Sequence, residues 1–328
     1  VWKEYIEFYK NELDLYPIKI QHKFGSPSLI LRNGQCENIC TFCDGCGPNE
    51  PPTKFDEITK QIDYFKSQGY TEIELSGEPP QHPNIVEVIK YISDSGFSYI
   101  QMSTNGRKLV DKTFVKQLKQ AGLTHCRIPL YGSTEEIHAM TVTPRLKGNP
   151  FKEACIAIEN CAKEGIIICA HTALVRANQF NLKKILELYY QLTDGKIKEF
   201  VVQNIGISNI TYEYTKNWYL PATESKAALK DLLDDSKYDD YPIKIIGFPY
   251  CVLGRYDDRI VGIYMAPQIG LNTSVGINAS LDNPRVPHYN ERMRIESCAK
   301  CSLANECDGV LKNDFILFGA EGLKPIPQ

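Results

Sequence analysis

An α/β fold, a partial (β/α)6 TIM-like barrel followed by a small C-terminal domain, is the architecture that this 328-residue sequence predicts. Three observations carry the expectation. Strand-like and helix-like runs alternate about six times between residues 28 and 205, the order that builds a parallel sheet. Glycine closes most of the helical runs, at Gly69, Gly96, Gly122 and Gly165. Polar, glycine-containing segments follow the strand ends, the rim on which barrels of this kind carry their chemistry.

Residues 1–13 predict a short amphipathic helix ending before Pro17, within a lead-in of residues 1–27. Leu29, Ile30 and Leu31 read as a buried first strand. The sequence then predicts a helix over 55–67, a strand over 72–75 ending in Ser76-Gly77-Glu78-Pro79, and a helix over 84–95. It predicts a strand over 99–103 ending in Thr104-Asn105-Gly106, a helix over 112–120, and a strand over 125–130 ending in Tyr131-Gly132. A helix over 151–163, a strand over 166–175, a helix over 182–192 and a strand over 200–205 complete the barrel units. Several strands read as apolar on both faces, as parallel strands covered by helices should be. From about Asn209 the pattern breaks, and a charged stretch (Asp231, Asp234, Asp235, Lys237, Asp239, Asp240) suggests a linker. The expected division is therefore a barrel over 28–210, a linker over 211–241 and a tail domain over 242–328. The tail contains strand candidates over 243–246, 260–264 and 274–278.

Hydrophobic content of 43% and charged content of 23% are ordinary for a globular chain. A net charge of −3 offers no electrostatic reason to expect nucleic acid or an acidic membrane as partner. No apolar run reaches the roughly 18 residues of a membrane span. The start, Val-Trp-Lys-Glu-Tyr-Ile, lacks a signal-peptide core and a Met, so processing at that end is expected. Twelve cysteines without a secretion signal point to a reducing, cytoplasmic compartment, where cysteine groups bind metal or do chemistry. Seven fall in two groups: 36, 40, 43 and 46, then 298, 301 and 307. Of the scattered five (126, 155, 161, 169 and 251), most sit in apolar surroundings, where an inert thiol is the default.

Cys36, Cys40 and Cys43 follow the first strand in a single loop. A cubane iron–sulfur cluster takes one cysteine per iron, so three local ligands leave a fourth iron open to a small molecule. Zinc sites more often use paired Cys-x2-Cys units or cysteine with histidine, and no histidine is near. The run Cys36-x3-Cys40-x-Phe42-Cys43 resembles the signature of the radical S-adenosylmethionine (SAM) enzymes, with Phe42 in the aromatic slot. The resemblance covers roughly residues 28–205. It implies a [4Fe–4S] cluster whose open iron chelates SAM, and reductive cleavage to a 5′-deoxyadenosyl radical that abstracts hydrogen from substrate. Gly77, Glu78 and Pro79 resemble the family's turn that holds the methionine amino group, with Ser76 replacing its first glycine. Ser103 and Asn105 resemble polar contacts to the ribose or carboxylate, turn chemistry being the alternative. Tyr131 occupies the rim near the ribose position or packs in the barrel mouth. Cys46 reads as a bystander, because a fourth ligand would close the cluster. His171 reads as a core histidine, with a substrate-facing role the alternative, and Asn178, near Arg176, as a loop-start or capping residue.

Cys298-x2-Cys301-x5-Cys307 is a second metal signal, with Cys251 the expected fourth ligand. The block resembles the auxiliary-cluster tails of radical SAM enzymes, of the short twitch or truncated SPASM type, and implies a second [4Fe–4S] cluster, with zinc the alternative. Radical SAM enzymes with such tails often modify ribosomally made peptides. The segment before Cys36 is too short for a peptide-recognition module, so a separate recognition protein is expected to deliver the substrate. Splicease, crosslinking and epimerising maturases fit that arrangement. The rival is small-molecule chemistry, such as dehydrogenation or rearrangement of an amino sugar or a cofactor precursor. An electron carrier or cluster scaffold is disfavoured, since a carrier needs no SAM pocket. Either enzyme needs an electron donor such as ferredoxin or flavodoxin.

Overall fold

The computed structural model describes residues 27–31, 36–43, 51–205, 217–255, 257–261, 268–270, 292–307 and 309–327. The expected helix over 1–13, the thiol of Cys46 and the strand candidate over 274–278 lie outside them. In chain order the barrel half contains β1 (Ser28–Ile30), β2 (Asn38–Cys40), α1 (Phe55–Ser67), β3 (Glu72–Ser76), α2 (Ile85–Asp94), β4 (Tyr99–Ser103) and α3 (Lys112–Ala121). It continues with β5 (His125–Pro129), α4 (Glu135–Ala139), β6 (Val142–Pro144), α5 (Pro150–Lys163), β7 (Ile167–Leu174), α6 (Leu182–Leu192) and β8 (Ile197–Asn204). Beyond it lie α7 (Ala222–Leu233), β9 (Ile243–Ile246), β10 (Ile260–Val261), β11 (Gln268–Gly270), β12 (Arg292–Met293), β13 (Val310–Leu311) and α8 (Lys312–Phe318).

The principal sheet has the order β10-β9-β8-β7-β5-β4-β3-β1-β11, and every ladder in it is parallel. The six strands β1, β3, β4, β5, β7 and β8 are the predicted open, partial barrel. Their periodicity departs from the expectation of strands apolar on both faces. Ile73, Leu75, Ile100, Met102, Cys126, Ile128, Ile168, Phe200 and Val202 are buried under the helices. Glu74, Gln101, Ser103, Arg127, His171 and Gln203 alternate with them along the same strands and face inward. A period of two sends successive side chains to opposite faces, so the lumen is polar while the outer layer is apolar. At the closed end of the lumen the Tyr99 hydroxyl donates to Gln101 Oε1 at 2.6 Å and accepts from Lys198 Nζ at 2.9 Å. Tyr189 of α6 sends its hydroxyl between β5 and β7, donating to the Ile128 carbonyl (2.6 Å) and accepting from Leu130 N–H (2.9 Å).

The segment 211–241 is not simply a charged linker. Its described part contains α7, whose Ala228, Leu229, Leu232 and Leu233 are buried in the main core. The charges that suggested a solvated stretch occupy the other face: Lys183 of α6 bridges Asp231 and Asp235 at 3.0 and 2.9 Å. The strand that follows, β9, extends the barrel sheet by pairing with β8. An amphipathic helix read only from its polar face passes for a linker.

Replacing Leu229 with Ala is expected to lower unfolding free energy by about 2–5 kcal/mol, the usual cost of emptying a packed leucine site. Denaturant unfolding of the full chain reads this out. A solvated linker would show almost no change.

Candidate functional site

The strand ends form one cavity of about 420 Å³, within the range of small-molecule sites. Cys36, Cys40, Cys43, Gly77, Glu78, Ser103, Asn105 and Tyr131 all line it, so eight expected site residues meet in one place. Phe42 and Pro79 do not line it. Phe42 packs edge-on against Tyr131, ring centroids 4.8 Å apart, in a cluster with Ala173, Val175, Ile205 and Tyr219. Pro79 is buried in the short 3₁₀ turn that follows Glu78.

The turn after β3 explains its own sequence. Gly77 has φ +82°, and a Cβ there would sit 2.7 Å from the Leu31 carbonyl oxygen. Glu78 is also left-handed, with φ 64°, an uncommon conformation for a residue with a side chain. Ser76, by contrast, is the last residue of β3, where extended backbone accepts a Cβ, and its hydroxyl lies 3.2 Å from that of Ser28. The serine that replaces glycine is therefore accommodated. The Glu78 carboxylate reaches across to the turn after β4, accepting from Asn105 N–H at 2.8 Å and from the Thr104 hydroxyl. Burial pushes its carboxyl up to about 7, against the lowering effect of those two bonds.

The cysteine loop is pinned by distant residues. β2 pairs antiparallel with β6, the Arg145 Nε donates to the Cys36 carbonyl at 3.2 Å, and Arg107 Nη1 donates to the Glu37 carbonyl at 2.9 Å. Arg107 is itself fixed by an ion pair with Glu153 of α5 at 2.7 Å. Asn105 Nδ2 donates to Cys36 Sγ at 3.4 Å while its Oδ1 accepts from Arg107 N–H at 2.8 Å. Its side chain is thus already engaged with the cysteine loop.

The floor adds Arg127, His138 and Gln203, which the sequence did not single out, to Ser103 and His171, which it did. Ser103 donates to Glu74 Oε1 at 2.6 Å, and Arg127 Nη1 reaches the same oxygen at 2.8 Å. His171 lines the cavity beside Arg127 and Gln203, so its core reading is corrected; its Nε2 lies 2.9 Å from Gln203 Oε1. Burial and the nearby Arg127 charge push His171 down to about 4. His138 also lines the cavity. Its Nδ1 accepts from Tyr131 N–H at 3.3 Å, and burial pushes it down to about 4, so near neutral pH it is uncharged with the proton on Nε2. Burial, with Cys40 and Cys43 nearby, raises the Tyr131 phenol. Asn178 is a capping residue: it accepts from Val175 N–H at 2.9 Å and donates to the Ala173 carbonyl at 2.9 Å.

The second cysteine group also converges. Cys251, Cys298, Cys301 and Cys307 line one cavity with Arg294, Ile295 and Val310. Cys251 stands in the short turn after β9, and burial plus the three other thiols push it up to about 12. Backbone N–H groups are directed at two of the sulfurs, Ile326 at Cys301 and Gly309 at Cys307, each 3.4 Å away. Among the described residues no three His, Cys, Asp or Glu side chains close on a single point in the way that one metal ion requires.

Gly77→Ala is expected to lower the melting temperature, the added methyl meeting Leu31 in a left-handed turn at a cost of about 1–3 kcal/mol. Ser76→Gly should leave it within a degree or two. A second expectation concerns pH in the cofactor-free protein. Burial holds the folded pKa of Glu78 above its ordinary value of 4.5, at about 7, so between those values the folded state holds the proton that the unfolded state has released. That contribution to stability is complete below pH 4.5 and fades as pH rises to 7. Denaturant titrations across that window should show stability falling, with a shallower slope in Glu78→Gln.

A profile of the radical SAM superfamily matches residues 30–188. The chain is 36% identical over 148 residues to the 7,8-dihydro-6-hydroxymethylpterin dimethyltransferase of Methanocaldococcus jannaschii, a match covering 42% of this chain and 28% of that protein. It is 27% identical to the AdoMet-dependent heme synthase of Methanosarcina barkeri, over 60% of this chain and 58% of that one. The matched stretch is thus less than two thirds of either relative. Streptococcus suis SuiB bound to precursor peptide SuiA shares the fold with a TM-score of 0.67, over 99% of this chain and 79% of that one, at 13% identity. The profile match spans the cysteine loop and the Ser76–Pro79 and Ser103–Gly106 turns, the parts that meet at the cavity, and residues 30–188 are a domain of the radical SAM superfamily.

Proposed function

We propose that this chain binds a [4Fe–4S] cluster through Cys36, Cys40 and Cys43, binds SAM beside it, and modifies a peptide. The observation that carries the proposal is a single cavity lined by three thiols, the Gly77–Glu78 turn and a polar floor. The residues suit the group. Three sulfurs at the cavity mouth supply three iron ligands and leave one iron corner for the methionine end of SAM. Glu78, whose carboxyl is raised by burial, gains an ammonium partner there, and the pairing returns it to the charged form. When bound, the cluster and SAM supply a reactive primary carbon radical. The protein's part is orientation and exclusion of water. Gly77 lets the backbone approach, Ser103 and Tyr131 present hydroxyls to the polar end of SAM, and Asn105 holds Cys36 rather than the cofactor. Phe42 and Pro79 support the loop and the turn from behind. His171 and His138, both uncharged near neutral pH, and the Glu74-paired Arg127 form the surface a substrate meets.

The tail is proposed to hold a second [4Fe–4S] cluster on Cys251, Cys298, Cys301 and Cys307. A tetrahedral zinc draws its sulfurs to about 2.3 Å from one centre. A cluster takes them one per corner around a larger body, which suits four thiols that ring a cavity. Peptide modification is favoured by the fold likeness, across 99% of the chain, to an enzyme bound to its precursor peptide. Delivery by a separate recognition protein and reduction by a ferredoxin or flavodoxin belong to the same proposal. A small-molecule substrate is the second reading, favoured by the curated relatives, a pterin dimethyltransferase and a heme synthase.

Anaerobic reconstitution with iron and sulfide, followed by reduction with SAM, tests this directly. We expect about eight irons per chain and release of 5′-deoxyadenosine. Cys40→Ala should abolish that release. Cys301→Ala should preserve it while losing about half of the iron. Absence of 5′-deoxyadenosine from the fully loaded wild type would refute the assignment. Incubation with candidate precursor peptides and, separately, with pterin or tetrapyrrole substrates decides between the two readings by which one acquires a mass change.

A further inference from the structure

Two nitrogens of a guanidinium in the tail are buried without an acceptor. Arg294 lies between Met293 and Ile295, both buried in a small apolar cluster with Val310. The β12–β13 ladder fixes this stretch, with Met293 opposite Val310. Successive side chains point to opposite sides, and Arg294 lines the cavity that holds Cys251, Cys298, Cys301 and Cys307. Its Nε and Nη2 are buried and have no hydrogen-bond partner, and among the described residues no carboxylate pairs with it. Buried donors left without an acceptor carry the full cost of their desolvation. Four sulfurs stand among the acceptors that line that cavity. Backbone N–H groups already serve Cys301 and Cys307.

We infer that Arg294 is the positioning residue for the tail's cluster, donating N–H bonds to its sulfur and setting its reduction potential. The inference rests on the proposed second cluster. Four thiolates outweigh the positive charge of the iron–sulfur core, so the bound cluster is an anion, and reduction adds one electron to it without moving a bond or a proton. A cation and N–H donors at the sulfur stabilise the more negative, reduced state, and the potential rises. Arg294 thus supplies the charge that would make the tail a better electron acceptor.

The test is a redox titration of the reconstituted full chain, followed by electron paramagnetic resonance, with dithionite as reductant and the cluster of the cysteine loop as internal reference. Arg294→Met removes the charge and the donors. At a fixed potential the reduced-to-oxidised ratio of the tail cluster should fall about tenfold, a shift of about 59 mV to more negative potential for a one-electron couple. Arg294→Gln keeps an N–H donor and should shift it by a smaller amount in the same direction. The loop cluster should not move in either. An unchanged tail midpoint in a fully loaded Arg294→Met overturns the inference. If that variant does not retain iron, an unchanged midpoint in loaded Arg294→Gln overturns it instead. A wild type that binds only about four irons, or zinc in the tail, fails the underlying assignment and is recognised before any variant is compared.

Discussion

Parallel register governs everything else in this molecule. Because all nine strands of the principal sheet run the same way, their C-terminal ends open on one rim. A parallel strand must be followed by a crossover, and the crossovers here are the helices that cover the outer face. Each strand then divides its residues by parity. One set packs under α1, α2, α3, α5 and α6, and the other is left to line the lumen. Burial energy is concentrated in the first set, which frees the second to be polar. A barrel packed with Val and Ile would have no room for Glu74, Arg127 and His171.

The rim is held together by bonds between turns rather than within them. Glu78, from the turn after β3, is fastened to Thr104 and Asn105, from the turn after β4, and Asn105 reaches Cys36. Arg107 then joins that turn to the cysteine loop and to α5. The arrangement accounts for the strained backbone at Gly77 and Glu78, since the position that brings the carboxylate to its neighbours is left-handed.

The tail follows the same logic on a smaller scale. Cys251 follows β9 of the sheet, and the other three thiols come from the last thirty residues or so of the chain. The β12–β13 ladder and the short turns beside it help bring them to one cavity. Four half-buried thiols and two buried, unpartnered guanidinium nitrogens of Arg294 share that one cavity.

The order of helices and strands was legible in the residues because period and punctuation are local properties. Gly69, Gly96 and Gly122 mark helix ends, and the strand over Tyr99–Ser103 and the helices over Phe55–Ser67 and Leu182–Leu192 have the bounds that periodicity predicts. The three-cysteine loop and the Ser76–Pro79 turn carried the family because both are contiguous. Other features depend on residues far apart in the chain. The role of Arg107, the β2–β6 ladder and the polar floor of Arg127, His171 and Gln203 had no contiguous pattern to read. The helix over Ala222–Leu233 was hidden by its charges, since burial of Leu229 and Leu232 depends on which neighbour covers them. The amino-acid sequence by itself determined the element order, the parallel sheet and the cysteine chemistry, all set by interactions within a few residues. Tertiary structure alone decided that Phe42 packs instead of facing the cavity, that Asn105 serves a cysteine, and that Arg294 ends beside four thiols. Each of those outcomes depends on contacts that form only when distant segments fold together.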